Sequence, residues 1–94
     1  MEYVITFKNT NLAIKSEQCL LEQNISVGVL PLPSQISAGC GICLRISRDE
    51  IRAALKVLAV NNIDEISLFL RSFENGQFSY MDVTDGNNII LDEE

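Results

Sequence analysis

A chain of 94 residues with 47% apolar and 21% charged side chains is sized for a single folded domain, residues 1–94, and its composition excludes disorder. Its net charge of −6 excludes nucleic-acid binding led by phosphate contacts, since the seven Lys and Arg are scattered along the chain. There is no His, which removes the usual general base, Ser-His and Cys-His nucleophile pairs and His-containing zinc sites.

Tyr3 to Lys8 alternates with β-branched and aromatic residues and reads as a strand. The same segment lacks the basic start and long apolar run of a signal peptide, and no stretch approaches the roughly 18 apolar residues that span a bilayer. No membrane association is expected, and the expected location is the cytoplasm, where thiols stay reduced. An odd count of three cysteines also fits poorly with a disulfide framework. Asn9 and Thr10 are natural N-caps for a helix carrying a stripe of Ala13, Leu20 and Asn24 flanked by Leu12, Ser16 and Leu21, with Cys19 at its margin.

Ile25 to Leu30 predicts a second strand, ended by Pro31 and Pro33. A loop rich in Pro, Ser and Gly runs to Gly41. Ile42, Leu44 and Ile46 then alternate as a third strand, which turns Cys43 and Arg45 to the other face. Ser47-Arg48-Asp49-Glu50 has the spacing of a capping box for a second helix, with Ile51, Ala54, Leu55 and Leu58 towards the core and an end near Asn61-Asn62. Ile66 to Phe73 is a fourth strand. Asn75-Gly76 is a type I′ hairpin signal that returns Gln77 to Val83 as a fifth. Asp85-Gly86-Asn87 marks another turn before a short strand, Asn88 to Leu91, and an acidic end.

The order β-α-β-β-α-β predicts an α+β fold of the ferredoxin-like, split βαβ plan, extended by a C-terminal β-hairpin within residues 66–91. Helices would cover one face of the sheet. The other, carrying Leu30 and Phe69, would suit a homodimer.

Chemistry concentrates in Ser37-Ala38-Gly39-Cys40-Gly41-Ile42-Cys43. The CxxC spacing is not of thioredoxin type, because a strand follows it and no helix N-terminus lowers the thiol pKa. If residues 40 to 43 were fully extended, their terminal Cα atoms would be roughly 10 Å apart, beyond the ~7 Å limit of a disulfide. The glycines are the stronger signal. Gly39 and Gly41 flank Cys40 and can take positive φ, so that successive N–H groups form an anion-binding nest. Such a nest, with Ser37 in the loop and Arg45 nearby, would hold Cys40 as a thiolate, persulfide or selenide on an exposed loop. The alternative is a plain tight connection in which Cys40 is a small filler. Cys43 is a small hydrophobe on a strand or a resolving thiol. No metal site is expected, because CxxC without a second pair is a weak metal signal, and no cofactor is implied.

The segment Pro31-Leu32-Pro33-Ser34-Gln35-Ile36-Ser37-Ala38-Gly39-Cys40-Gly41 before an apolar strand resembles the small bacterial domains described as Se/S carrier protein-like. Its Ile-Ser-x-x-Cys-Gly core stands at Ile36 to Gly41, after a strand like Tyr3–Phe7, a helix opening near Thr10 that carries Leu20-Leu21, and a Pro-bearing strand end. The likeness covers roughly residues 1 to 60. It departs from the family pattern at Ser34, where a basic residue is expected, and at Cys43. The resemblance implies handling of sulfur or selenium on Cys40, with a donor and an acceptor protein as partners, by a carrier more than an enzyme. The rival expectation is a dimeric interaction or small-ligand module using the open sheet face.

Overall fold

The computed structural model describes residues 1–84; the expected turn at Asp85-Gly86-Asn87, the strand Asn88 to Leu91 and the acidic end lie outside the described residues. Seven elements follow in order: β1 (Glu2–Phe7), α1 (Thr10–Glu22), β2 (Gly28–Pro31), β3 (Ile42–Ser47), α2 (Ile51–Val60), β4 (Ile66–Glu74) and β5 (Gln77–Asp82). The five strands form one sheet in the order β2-β3-β1-β4-β5, with every neighbouring pair antiparallel. The fold is α+β, and β3 lies between β1 and β2.

Local chemistry sets the helix ends. Asn9 caps α1, its side-chain oxygen accepting from the Leu12 N–H at 2.9 Å. Both helices close by the same device, an Asn in the left-handed region (Asn24, φ 63°; Asn62, φ 62°) followed by a buried Ile whose N–H returns to the helix. Ile25 donates to the Leu20 carbonyl at 3.0 Å and Ile63 to that of Leu58 at 2.9 Å. The expected inward stripe therefore ends at Leu20: Ala13, Ser16 and Leu20 are buried, Leu21 is exposed and Asn24 lies past the helix. β2 starts three residues later than its apolar pattern suggests, because Ile25 is held by that helix-end bond.

Ser47 does not cap α2. It is the last residue of β3, paired with Glu2, and α2 begins at Ile51. Glu50, freed from the box, accepts from the Ser26 N–H at 3.2 Å. Sheet pairing has overridden a local motif here. The Asn75-Gly76 hairpin forms as expected, with φ of 53° and 77°.

On the helix-covered face Tyr3, Ile5 and Phe7 of β1, Leu44 and Ile46 of β3 and Leu68 of β4 pack against Ala13, Leu20, Ile51, Ala54 and Leu58. Each such Leu or Ile contributes roughly 1.5–3 kcal/mol by leaving water. The other face is not open at its centre. Ile36 comes down from the loop after β2 onto Val4 and Cys43, with Leu30, Leu32, Phe69 and Tyr80 around them. Leu30 and Phe69 are therefore partly covered by the chain's own loop. No helix among the described residues is long and apolar enough to cross a membrane.

Candidate functional site

Cys40 stands two residues before Ile42, so it shares the parity of Ile42, Leu44 and Ile46 and turns to the helix side. It is 3% exposed, packed in the main core, and its thiol donates to the Ile42 carbonyl at 2.8 Å. The expected exposed sulfur is thus corrected to a covered one. A thiol is small and weakly polar, and the interior accepts it once its hydrogen finds an acceptor.

The glycines act differently from expectation as well. Neither Gly39 nor Gly41 adopts the left-handed region, so no nest of alternating conformations surrounds Cys40. Gly39 is needed for approach: a Cβ there would lie 2.0 Å from the Lys8 carbonyl oxygen. Gly41 is exposed with open space beside it, and its carbonyl accepts from the Leu32 N–H at 2.9 Å.

That close approach builds a pocket of about 200 Å³. Ser37, Ala38 and Gly39 form one wall, Thr6, Phe7 and Lys8 at the end of β1 a second, and Glu65, Ile66 and Ser67 at the start of β4 a third. Lys8 and Glu65 pair across it at 2.5 Å, both well exposed, and the carboxylate holds the Lys8 ammonium pKa above its ordinary value. A space below the usual 300–1,000 Å³ of organic-ligand pockets admits an inorganic group or a few waters. Cys40 is not in its lining, although Gly39 before it is. Lys8 and Glu65 were not foreseen as neighbours of this loop; they are 57 residues apart, and no local spacing connects them.

Cys43 and Arg45 stand on the other face, as the strand alternation requires. Cys43 is fully buried in the second cluster, with its sulfur 3.9 Å from the Pro31 carbonyl. Burial, with a smaller contribution from the nearby Cys40, pushes its thiol pKa up to about 11, against a weaker opposing pull from Arg71. The thiols of Cys40 and Cys43 belong to separate clusters, and all three cysteines are free. Arg45 does not join Cys40. Its guanidinium lies against Gly28 and pairs with Glu2 at 3.4 Å, while Arg71 holds the other Glu2 oxygen at 3.3 Å. Of the expected site residues, the fold brings Ser37 and Gly39 to the pocket, buries Cys40 in the main core, leaves Gly41 at the rim of β2 and β3, and sends Cys43 and Arg45 elsewhere. Among the described residues no three His, Cys, Asp or Glu side chains converge to hold a metal ion.

A family model described as "Putative Se/S carrier protein-like" matches residues 2–69, from the first residue of β1 into β4. The match reaches further than the first 60 residues that the loop and its flanks suggested, and it takes in all three walls of the pocket. No curated protein and no solved structure matches the chain.

Proposed function

The chain belongs to the Se/S carrier protein-like family, and from that membership we propose that it carries sulfur or selenium as a persulfide or perselenide on Cys40. The supporting observation is the placement of Ser37-Ala38-Gly39 as one wall of a small polar pocket, with Cys40 the next residue in the chain and buried in the core. Loading is an exchange. The terminal sulfur of a donor persulfide bonds to Cys40, the donor's S–S bond breaks, and the donor leaves as a thiol, R–S–SH plus Cys–SH giving R–SH plus Cys–S–SH. A perselenide follows by the same exchange from a donor S–SeH. Delivery to an acceptor thiol reverses it, so the chain acts as a transfer partner between two proteins and not as an enzyme.

Because the thiol is covered, the carrier works through two arrangements of the loop from Leu32 to Gly41. In the closed one Cys40 is spent on the Ile42 carbonyl. In the open one Gly39 lifts from Lys8, the pocket and the core position of Cys40 become continuous, and the sulfur meets its donor. Ser37, Gly39 and Gly41 supply the backbone of that movement. Cys43 would discharge a loaded Cys40, forming a disulfide and releasing sulfide, only with the loop displaced, and its high pKa keeps it protonated until then. Arg45 acts at a distance from the sulfur, as a clamp on Glu2. Three free thiols suit a reducing cytoplasm, which we take as its location. We read β1 to β4 as a ferredoxin-like core to which the β4–β5 hairpin adds an edge; β3 between β1 and β2 supports that reading.

The burial of Cys40 favours a rival of another class, an interaction module in which this thiol is core filler. Incubation with a small persulfide donor, followed by mass spectrometry of the peptides, separates the two. One added sulfur on Cys40, absent from Cys40→Ala, supports the carrier; a Cys40 that stays unmodified while the loop is shown to open removes it.

A further inference from the structure

The sheet ends in two unlike edges. β2 has four residues and finishes on Pro31, two devices that keep an edge from pairing. β5 has six residues, contains neither Pro nor Lys, and among the described residues has no strand on its outer side. The two-residue turn at Asn75-Gly76 makes Glu74 and Gln77 a hydrogen-bonded pair. The main-chain groups of Gln77, Ser79 and Met81 then face β4, as the Val83 N–H does in donating to the Leu68 carbonyl at 2.8 Å. Those of Phe78, Tyr80 and Asp82 face outwards. The side chains beside them are apolar and exposed: Phe73 is 62% exposed, Phe78 40% and Met81 57%. Phe73 meets Phe78 edge-on at 4.9 Å between centroids, and the Arg71 guanidinium sits 3.7 Å above the Phe78 ring, so the rings are already held in place.

We infer that a second copy of this chain pairs antiparallel along β5, with the two-fold axis at Ser79, joining the five described strands of each copy into one continuous sheet. In that register the outward groups of Phe78 exchange hydrogen bonds with those of the partner's Tyr80, and the reverse, four bonds in all. Phe78 lies opposite the partner's Tyr80 on one face, and Gln77 opposite the partner's Met81 on the other. Asp82, the one charged residue of the strand, falls opposite the partner's Gly76, so no like charges face each other. Moving the axis to Tyr80 would instead set each Asp82 carboxylate against a Phe78 ring. Each copy carries −6, and that repulsion is screened over about 10 Å at 0.1 M salt and 3 Å at 1 M, so pairing strengthens as salt rises. This surface is independent of Cys40 and its chemistry.

Sedimentation equilibrium of the full chain tests the pairing, and cross-linking tests the register. Ser79 is a non-hydrogen-bonded self-pair with Cα atoms about 4.5 Å apart, within disulfide reach. Ser79→Cys should therefore oxidise to a dimer whose mapped cross-link is 79 to 79, at least tenfold faster than Gln77→Cys, which faces Met81. Tyr80→Pro removes an outward N–H without touching the bonds to β4, and should be monomeric with an unchanged circular dichroism spectrum. A wild-type chain that stays monomeric from micromolar to millimolar concentration in 1 M salt overturns the proposal. So does equal cross-linking of the two cysteine variants, which also decides the matter if Tyr80→Pro fails to fold.

Discussion

Replacing Gly39 by Ala puts a methyl group 2.0 Å from the Lys8 carbonyl oxygen, where side-chain carbons essentially never come within 3.0 Å of a neighbour. The obstacle is backbone at the end of β1, itself fixed by pairing to β4 from Glu2↔Arg71 to Phe7↔Ile66, so the loop must move by an ångström or more. Overpacking of this kind costs about 1–3 kcal/mol. If about 2 kcal/mol is lost from the closed loop alone, the open population rises roughly 25-fold, at a factor of ten per 1.4 kcal/mol. Alkylation of a covered thiol follows that population when opening and closing are faster than the reaction. The assay is iodoacetamide labelling read peptide by peptide, with thermal melts alongside. Cys40 in Gly39→Ala should react about 10- to 100-fold faster than in wild type, and the melting temperature should fall by about 10 °C. Cys43 should gain too, because Ile36 on the same loop covers it. Gly41→Ala is the control: nothing lies within 4 Å of its Cβ, so stability should stay within about 0.5 kcal/mol and Cys40 should react as before. Equal Cys40 rates in Gly39→Ala and wild type would refute the idea that this contact keeps the loop shut.

Three further outcomes follow from the same geometry. The Cys43 thiol is raised from 9.0 to about 11, so its protonated form is favoured by folding; that stability is present below pH 9 and is lost as pH climbs from 9 through 11. Urea melts should show wild type losing about 2–3 kcal/mol more than Cys43→Ala over that range, with the Lys8 titration common to both and cancelling. Glu2 bridges a nearly buried Arg71 (side chain 11% exposed) and a half-exposed Arg45 (44%), so double-mutant cycles should give a coupling of about 1–2 kcal/mol to Arg71 and under about 0.5 to Arg45. Equal couplings would contradict the role of burial. Asn9→Ala removes the Leu12 cap bond and should cost about 1 kcal/mol, seen as a fall of roughly 5 °C on melting.

Elements carried by a period or a turn signal were legible in the sequence. The alternation of Ile42, Leu44 and Ile46 gives β3 its bounds, and Asn75-Gly76 places the hairpin to the residue. The same alternation tells that Cys43 and Arg45 face away from Cys40's side. What stayed hidden depends on contacts between distant segments. The Ser47 capping box is sound as local chemistry, but Glu2 claims Ser47 for the sheet. The loop from Leu32 to Gly41 has no period, so nothing in it announces that Ile36 would cover one face while Cys40 enters the core on the other. Gly39 looked like a conformational glycine and is a steric one, a distinction that appears only when the Lys8 carbonyl is in place. The pocket behind it joins three segments, two of which had no reason to be considered together before the fold was known.

The central claim is that the loop opens to load Cys40. Its most direct measurement is mass spectrometry of wild type and Gly39→Ala after brief exposure to a persulfide donor, with loading resolved by peptide. One added sulfur on Cys40 in wild type, appearing at least tenfold faster in Gly39→Ala and absent from Cys40→Ala, is the result expected. Added sulfur confined to Cys19 or Cys43, or a Cys40 that alkylates readily in Gly39→Ala yet never takes sulfur, would contradict it.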